Sequence, residues 1–160
     1  MTVGVLAALL AGTASAGCFD RVTERLNKEP LELDFTAKSS DEVAFGFLSE
    51  WTKAYRPCLP LDFGDFRMFD LVPTRDRGVV YVFEYTGKEE LMPDGSARRE
   101  IWLSMQRTYC EGEMLPSRGV KLVYSIRDHL GSEVLRVELP PGTCKVQQAL
   151  VRQGAPKVAL

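Results

Sequence analysis

The chain has 160 residues, with 20 Lys and Arg against 22 Asp and Glu and a net charge of −2. That balance excludes the basic surplus that counterion-release binding to nucleic acid requires, and no polybasic cluster marks the chain for an anionic membrane surface. The four cysteines form an even set, which suits an oxidising compartment outside the cytosol.

Met1 to Ala16 carries no charged residue, and Val3 to Leu10 is mostly apolar. An apolar stretch of about ten residues is too short to span a bilayer, which takes about twenty. Ala14-Ser15-Ala16 fits the small-x-small rule of a signal peptidase. We therefore read residues 1–16 as a signal peptide, although no Lys or Arg precedes the apolar run; a buried N-terminal helix is the alternative. Gly17-Cys18 also fits cleavage before a lipid-bearing Cys, as in bacterial lipoproteins, but Ser15 stands where Leu is usual. Lipidation of Cys18 would leave three cysteines, one of them unpaired. A soluble exported protein is thus preferred to a lipoprotein anchored at Cys18. Removing the leader leaves about 144 residues, enough for one domain with a substantial core.

From Cys18 to Lys28, Phe19, Val22 and Leu26 recur at helical spacing, and Pro30 stops the pattern. Leu31, Leu33 and Phe35 alternate with Glu32, Asp34 and Thr36 as in a half-buried strand. Ser39 with Glu42 three residues on forms a capping box. Val43, Phe47, Leu48, Trp51 and Tyr55 then give one apolar stripe, ended by Pro57 before Cys58. Phe66 to Val72 reads as a strand, Pro73 to Gly78 as a turn, and Val79 to Thr86 as a second strand. After a polar loop from Gly87 to Gly95, a helix is predicted from about Ser96, with Ile101, Trp102, Met105 and Tyr109 on its buried side and Gly112 just past Cys110. Val120 to Arg127 and Val134 to Leu139 alternate as strands around a hairpin turn at Asp128 to Ser132, and Pro140-Pro141 ends the second.

Helix–strand–strand thus occurs twice. The pattern predicts an α+β fold: an antiparallel sheet with two main helices on one face, repeated α-β-β units of ferredoxin-like or related type, and disulfide staples. The expected divisions are 1–16 signal peptide, 17–38 an N-terminal arm with a short helix and strand, 39–144 a single α+β domain, and 145–160 a partly disordered tail. The helix-covered face would carry Tyr81, Phe83, Tyr124, Ile126, Leu135 and Val137. The opposite face, with Val80, Val82, Glu84, Lys121, Val123, Arg127, Arg136 and Glu138, reads as solvated.

Four cysteines permit three pairings. We take Cys110 with Cys144, tying the second helix to the end of the last strand, and Cys18 with Cys58, anchoring the arm to the first long helix. Each loop is roughly 35 to 40 residues, so each bridge stabilises by about 3–4 kcal/mol. A metal centre is the rival reading, but no C-x-x-C occurs and the spacings match no zinc module. His129, the single histidine, sits in a turn, where a general base lacks the burial or fixed partner that tunes it. H-E-x-x-H, G-x-S-x-G, the phosphate loop and the dinucleotide fingerprint are missing. Asp62, Asp65 and Asp70 cluster around one loop and strand, and paired carboxylates can hydrolyse glycosides, but the preferred reading is a polar loop entering a strand. Trp51 and Trp102 fall on helical stripes as core anchors. No catalytic residue, cofactor or metal site is assigned.

Tyr109-Cys110, Arg118-Gly119-Val120, Val123-Tyr124-Ser125-Ile126-Arg127-Asp128, Gly131 and Cys144 follow one another in this order. Over about residues 66–144 the chain resembles the quorum-sensing-regulated virulence factors, a family of small exported proteins of Gram-negative bacteria. The resemblance implies an exported α/β domain in which Cys110 and Cys144 are the bridging pair, and it brings no catalytic residue and no ligand. The arm from Cys18 to Lys38, together with Cys58, departs from that pattern.

The expectation is a non-enzymatic periplasmic or secreted protein that acts by contact with a protein partner, in envelope function or virulence. Nothing in the sequence names that partner or sets an oligomeric state. One alternative is an inhibitor or immunity protein for an envelope-active enzyme, its loop from Lys88 to Gly95 plugging a site. Another is a lipid-anchored accessory protein of a secretion system, which would follow if Cys18 is acylated.

Overall fold

The structure is a computed structural model and describes residues 13–28, 35–87, 95–111 and 114–144. Most of the expected leader, the strand residues 31–34, the loop residues 88–94 and the tail 145–160 lie outside the described residues. The elements in chain order are α1 (Thr13–Lys28), α2 (Asp41–Tyr55), a 3-10 turn (Arg56–Cys58), β1 (Leu61–Phe63), β2 (Phe66–Thr74), β3 (Gly78–Tyr85), α3 (Gly95–Glu111), the short α4 (Met114–Ser117), β4 (Lys121–Arg127) and β5 (Glu133–Leu139).

α2 starts one residue later than the sequence suggested. Ser40 is its cap and accepts from the Val43 N–H at 3.3 Å, whereas the Ser39 hydroxyl accepts from the Thr36 N–H. Asp41 and Glu42 then fall in the first turn, where the helix dipole favours negative charge. The buried stripe is Ala44, Phe47, Leu48, Trp51 and Tyr55. Val43 was expected on it but is 41% exposed, because at 3.6 residues per turn it lies about 100° around the helix from the stripe's centre near Ala44 and Trp51. α1 lies across the end of α2, with the Phe19 and Tyr55 rings 4.7 Å apart and the Thr23 and Tyr55 hydroxyls hydrogen-bonded at 2.8 Å.

The five strands follow chain order across one sheet, β1-β2-β3-β4-β5. β1 pairs with β2, β2 with β3 and β4 with β5 antiparallel, but β3 pairs with β4 parallel, from Gly78↔Lys121 to Glu84↔Arg127. The sheet is thus antiparallel in three of its four pairings, but the parallel pair makes it a mixed sheet, and the sequential strand order corrects the expected ferredoxin-like repeat of α-β-β units. The reason is the connection. A parallel neighbour needs a crossover of a dozen or more residues, and the segment from Thr86 to Val120 supplies one that contains α3.

α2 and α3 cover the same face. Trp51 and Tyr55 of α2 join Ile101, Met105 and Tyr109 of α3 in one core with Leu122, Tyr124, Ile126, Leu135, Val137 and Leu139. Trp102, expected in that core, is 36% exposed; Gln106 is buried in its region instead, because its side-chain amide donates to the Thr143 carbonyl at 3.3 Å. Between the helices and the sheet runs a layer of aromatic rings: Tyr81 lies 5.7 Å from Tyr124, and Phe83 stacks on Tyr124 at 6.1 Å. The Tyr109 hydroxyl donates to the Val120 carbonyl and fixes the end of α3 over the start of β4.

Burial sets the titration of this layer. It raises Tyr81 and Tyr124, each pushed further by a neighbouring phenol, lifts Tyr109 to about 12, and raises Tyr55 against the opposing effect of the Thr23 hydrogen bond. Each phenol is neutral when folded, and its folded value lies above its unfolded one. The stability linked to them is complete below about pH 10 and is lost as pH rises through the folded values. A phenolate absorbance titration should therefore show most tyrosines ionising only together with loss of tertiary circular dichroism; titration of all five near the free-tyrosine value in the folded protein would refute this layer.

Candidate functional site

The cysteines lie at two corners of the fold. Cys18 near the start of α1 is bonded to Cys58 in the turn after α2, with Cα atoms 5.6 Å apart. Cys110 in the last turn of α3 is bonded to Cys144 beyond β5, with Cα atoms 5.4 Å apart. The bridges close loops separated by 40 and 34 residues, so each removes about 4 kcal/mol of loop entropy from the unfolded chain. No free cysteine occurs among the described residues, and no group of three or more His, Cys, Asp or Glu there could hold a metal ion.

The acidic trio does not converge. Asp62 on β1 pairs with Arg67 at 2.7 Å, Asp70 on β2 pairs with Arg56 at 3.5 Å and accepts from the Leu71 N–H, and Asp65 sits exposed in the intervening turn. Asp62 and Asp70 each serve a local arginine and Asp65 faces water, so the hydrolase reading has no carboxylate pair to stand on. His129 is exposed at the β4–β5 hairpin, whose turn is held instead by Asp128: its carboxylate accepts from the Leu130 and Ser132 N–H groups, each at 2.9 Å. The loop proposed to plug a foreign site, Lys88 to Gly95, falls almost wholly outside the described residues.

The face opposite the helices is charged at its margins but closed at its middle. Val82 and Val123 are 4% and 1% exposed, and Ser125 beside them donates to Glu133 at 2.5 Å. Small side chains on central strands are flanked on both sides, so the centre is not the solvated surface that the alternation alone implied.

A knot that the sequence reading missed lies at the β2–β3 turn. Arg77 takes a left-handed backbone (φ 56°) and its side chain is mostly buried. Its guanidinium binds Asp41 at the start of α2 at 2.6 Å and donates to the Thr36 and Ala37 carbonyls at 3.3 and 3.2 Å. Its own carbonyl accepts from the Lys121 N–H at 2.8 Å. Beside it Lys121 and Thr74 donate to Asp76, and these hydrogen bonds hold its carboxyl below the usual range. The visible signal was the Pro73 to Gly78 turn; its partners 36 to 41 residues upstream carry no local trace.

The most open apolar surface of a long element is one flank of α3. Trp102 is 36% and Leu103 46% exposed, and both lie on the turn before Gln106 and Cys110, which hold Thr143 and Cys144. Arg99 and Arg107 stand exposed one turn to either side of Leu103, with no ion pair among the described residues. An apolar strip bordered by exposed cations on a covalently tethered helix can bind an apolar segment carrying acidic residues. It offers no group placed for bond-making chemistry.

No protein-family model matches the sequence, and no curated protein matches it. The fold does have relatives among solved structures. The chain is similar to EpsS, a pilotin of the type 2 secretion system of Vibrio vulnificus, with 14% identity and a TM-score of 0.53 over 65% of this chain and 94% of that one. It is also similar to a protein of Pseudomonas aeruginosa classed as secreted, with 17% identity and a TM-score of 0.58 over 65% of this chain and 95% of that one. At such identities the likeness establishes a shared α+β fold, which nearly the whole of each of those proteins occupies.

The bridge joining α3 to the end of β5 tethers the helix that bears this flank. Replacing both Cys110 and Cys144 by Ser should lower the stability of the oxidised protein by about 3–5 kcal/mol in denaturant unfolding. Replacing Cys18 and Cys58 together should cost a similar amount. An unchanged midpoint in either double variant would show that its bridge does not form.

Proposed function

We propose that the protein is an exported accessory protein of a bacterial secretion apparatus, which works as a pilotin does, by contact with a protein partner and not by catalysis. The observation that carries this reading is the fold shared with EpsS, of which 94% is spanned. The short apolar leader with Ala14-Ser15-Ala16, and the even cysteine set, agree with work outside the cytosol. The α3 flank of Arg99, Trp102, Leu103 and Arg107 is the contact surface in this reading, and the partner presents an apolar segment with acidic neighbours.

Anchoring follows from the fate of one sulfur. Bonded to Cys58, Cys18 cannot also carry a lipid thioether, so the bridged protein is free in its compartment; an acylated Cys18 would place it on a membrane and leave Cys58 as a thiol. The bridge favours the unanchored form.

Deleting the gene should reduce release of the substrates of the host's secretion system, and affinity capture from cross-linked envelopes should recover a subunit of that apparatus. The Leu103→Glu variant should fold normally by circular dichroism yet lose that capture at least tenfold, since it sets a like charge against an acidic partner. Undiminished secretion in the deletion strain would end the proposal. Intact mass of the mature protein decides the anchor: a Gly17 start with four hydrogens missing means two bridges, and added acyl mass at Cys18 means a lipoprotein.

A further inference from the structure

The two edges of the sheet are treated differently. At one edge β1 covers only Phe66 to Met68 of β2, and the rest of β2 is guarded. The Asp70 carboxylate takes the Leu71 N–H at 2.8 Å, Pro73 has no N–H to offer, and the strand is irregular between Met68 and Asp70. Such devices stop a foreign strand from adding. At the other edge β5 pairs with β4 alone, and its outer backbone groups have no hydrogen-bond partner among the described residues. From Leu135 to Leu139 it holds no proline and no bulge.

Its side chains also fix what can add there. Arg136 and Glu138 point to the charged face, with side chains 44% and 49% exposed and an Arg136 Nε to Glu138 Oε1 distance of 2.8 Å. Leu135, Val137 and Leu139 point to the core face. We infer that β5 is the contact for a second copy of this chain, added antiparallel with Val137 on the two-fold axis. In that register Arg136 faces Glu138 of the partner subunit, the converse pair forms across the axis, and Leu135 faces Leu139 of the partner subunit. A two-fold centred on Arg136 sets like charges opposite each other, and one centred on Leu135 pairs no charges at all. Opposite charges directly across a strand pair attract and like charges repel, so the sequence of β5 selects one register, and the isologous contact closes on itself as a dimer. The inference is independent of any role in secretion, since it rests on the edge alone.

Sedimentation velocity on the oxidised full chain over a dilution series should show a reversible monomer–dimer equilibrium. Arg136→Glu or Glu138→Arg alone turns both cross-axis pairs repulsive and should raise the dissociation constant roughly tenfold. The double variant R136E/E138R should restore it. Circular dichroism shows whether each variant remains folded. A protein that stays monomeric at the highest soluble concentration overturns the inference, as does a dimer whose strength ignores the single reversals or is not recovered by the double one.

Discussion

The parallel pairing of β3 with β4 is the constraint from which the rest of the architecture follows. Strands that run side by side in the same direction cannot be joined by a tight turn. The chain must leave the sheet after β3, cross it and return, and α3 is that crossing. Because it lies over the sheet, Tyr109 reaches the Val120 carbonyl, Gln106 reaches Thr143 and Cys110 meets Cys144. Because β4 receives neighbours on both sides, Leu122 through Ile126 are all buried, and β5 is pushed to the outside. One topological choice therefore supplies the covalent tether, the open helix flank and the free edge.

That choice was not legible in the alternation of apolar and polar residues. A strand buried on one face has the same period of two whichever way its neighbour runs, so β3 and β4 looked like members of separate hairpins. The informative signal was length, since the stretch from Thr86 to Val120 is far beyond a hairpin loop and holds a helix. What was legible were elements whose residues pack locally: the α2 stripe from Phe47 to Tyr55, the β4–β5 hairpin around Gly131 and the stop at Pro140-Pro141. The errors fall where one hydrogen bond outranks hydropathy. Ser40 caps in place of Ser39, and Gln106 is buried while Trp102 reaches solvent, because an amide with a carbonyl partner can be enclosed at no net loss.

The candidate surface was less legible than the fold. Leu103 and Arg107 were not singled out, since an exposed leucine on a helix is ordinary by itself; it becomes informative only beside Trp102 and two exposed cations without ion-pair partners among the described residues. Arg77 was invisible for another reason. Its three acceptors lie 36 to 41 residues away, and they meet it only after α2 and the β2–β3 turn are in place. A mostly buried arginine that neutralises Asp41 and holds two carbonyls cannot be exchanged for lysine, whose single ammonium cannot span those acceptors in a fixed plane.

The two sulfur bridges are not equivalent in what they protect. Cys110–Cys144 closes the crossing helix onto the end of the sheet, so its loop contains α4, β4 and β5. Cys18–Cys58 adds a covalent tie where α1 already holds α2 through the Phe19–Tyr55 ring contact and the Thr23–Tyr55 hydrogen bond. Cys58 is itself 6% exposed at the end of α2, and a buried thiol packs as a small apolar group. Opening this bridge therefore costs its loop entropy but leaves the packing of α1 on α2 and the burial of Cys58 in place. Transfer of the Cys18 sulfur to a lipid leaves those contacts intact, whereas opening Cys110–Cys144 removes the covalent tie of the helix that carries the exposed flank and leaves it held by its core contacts and the Tyr109 and Gln106 hydrogen bonds.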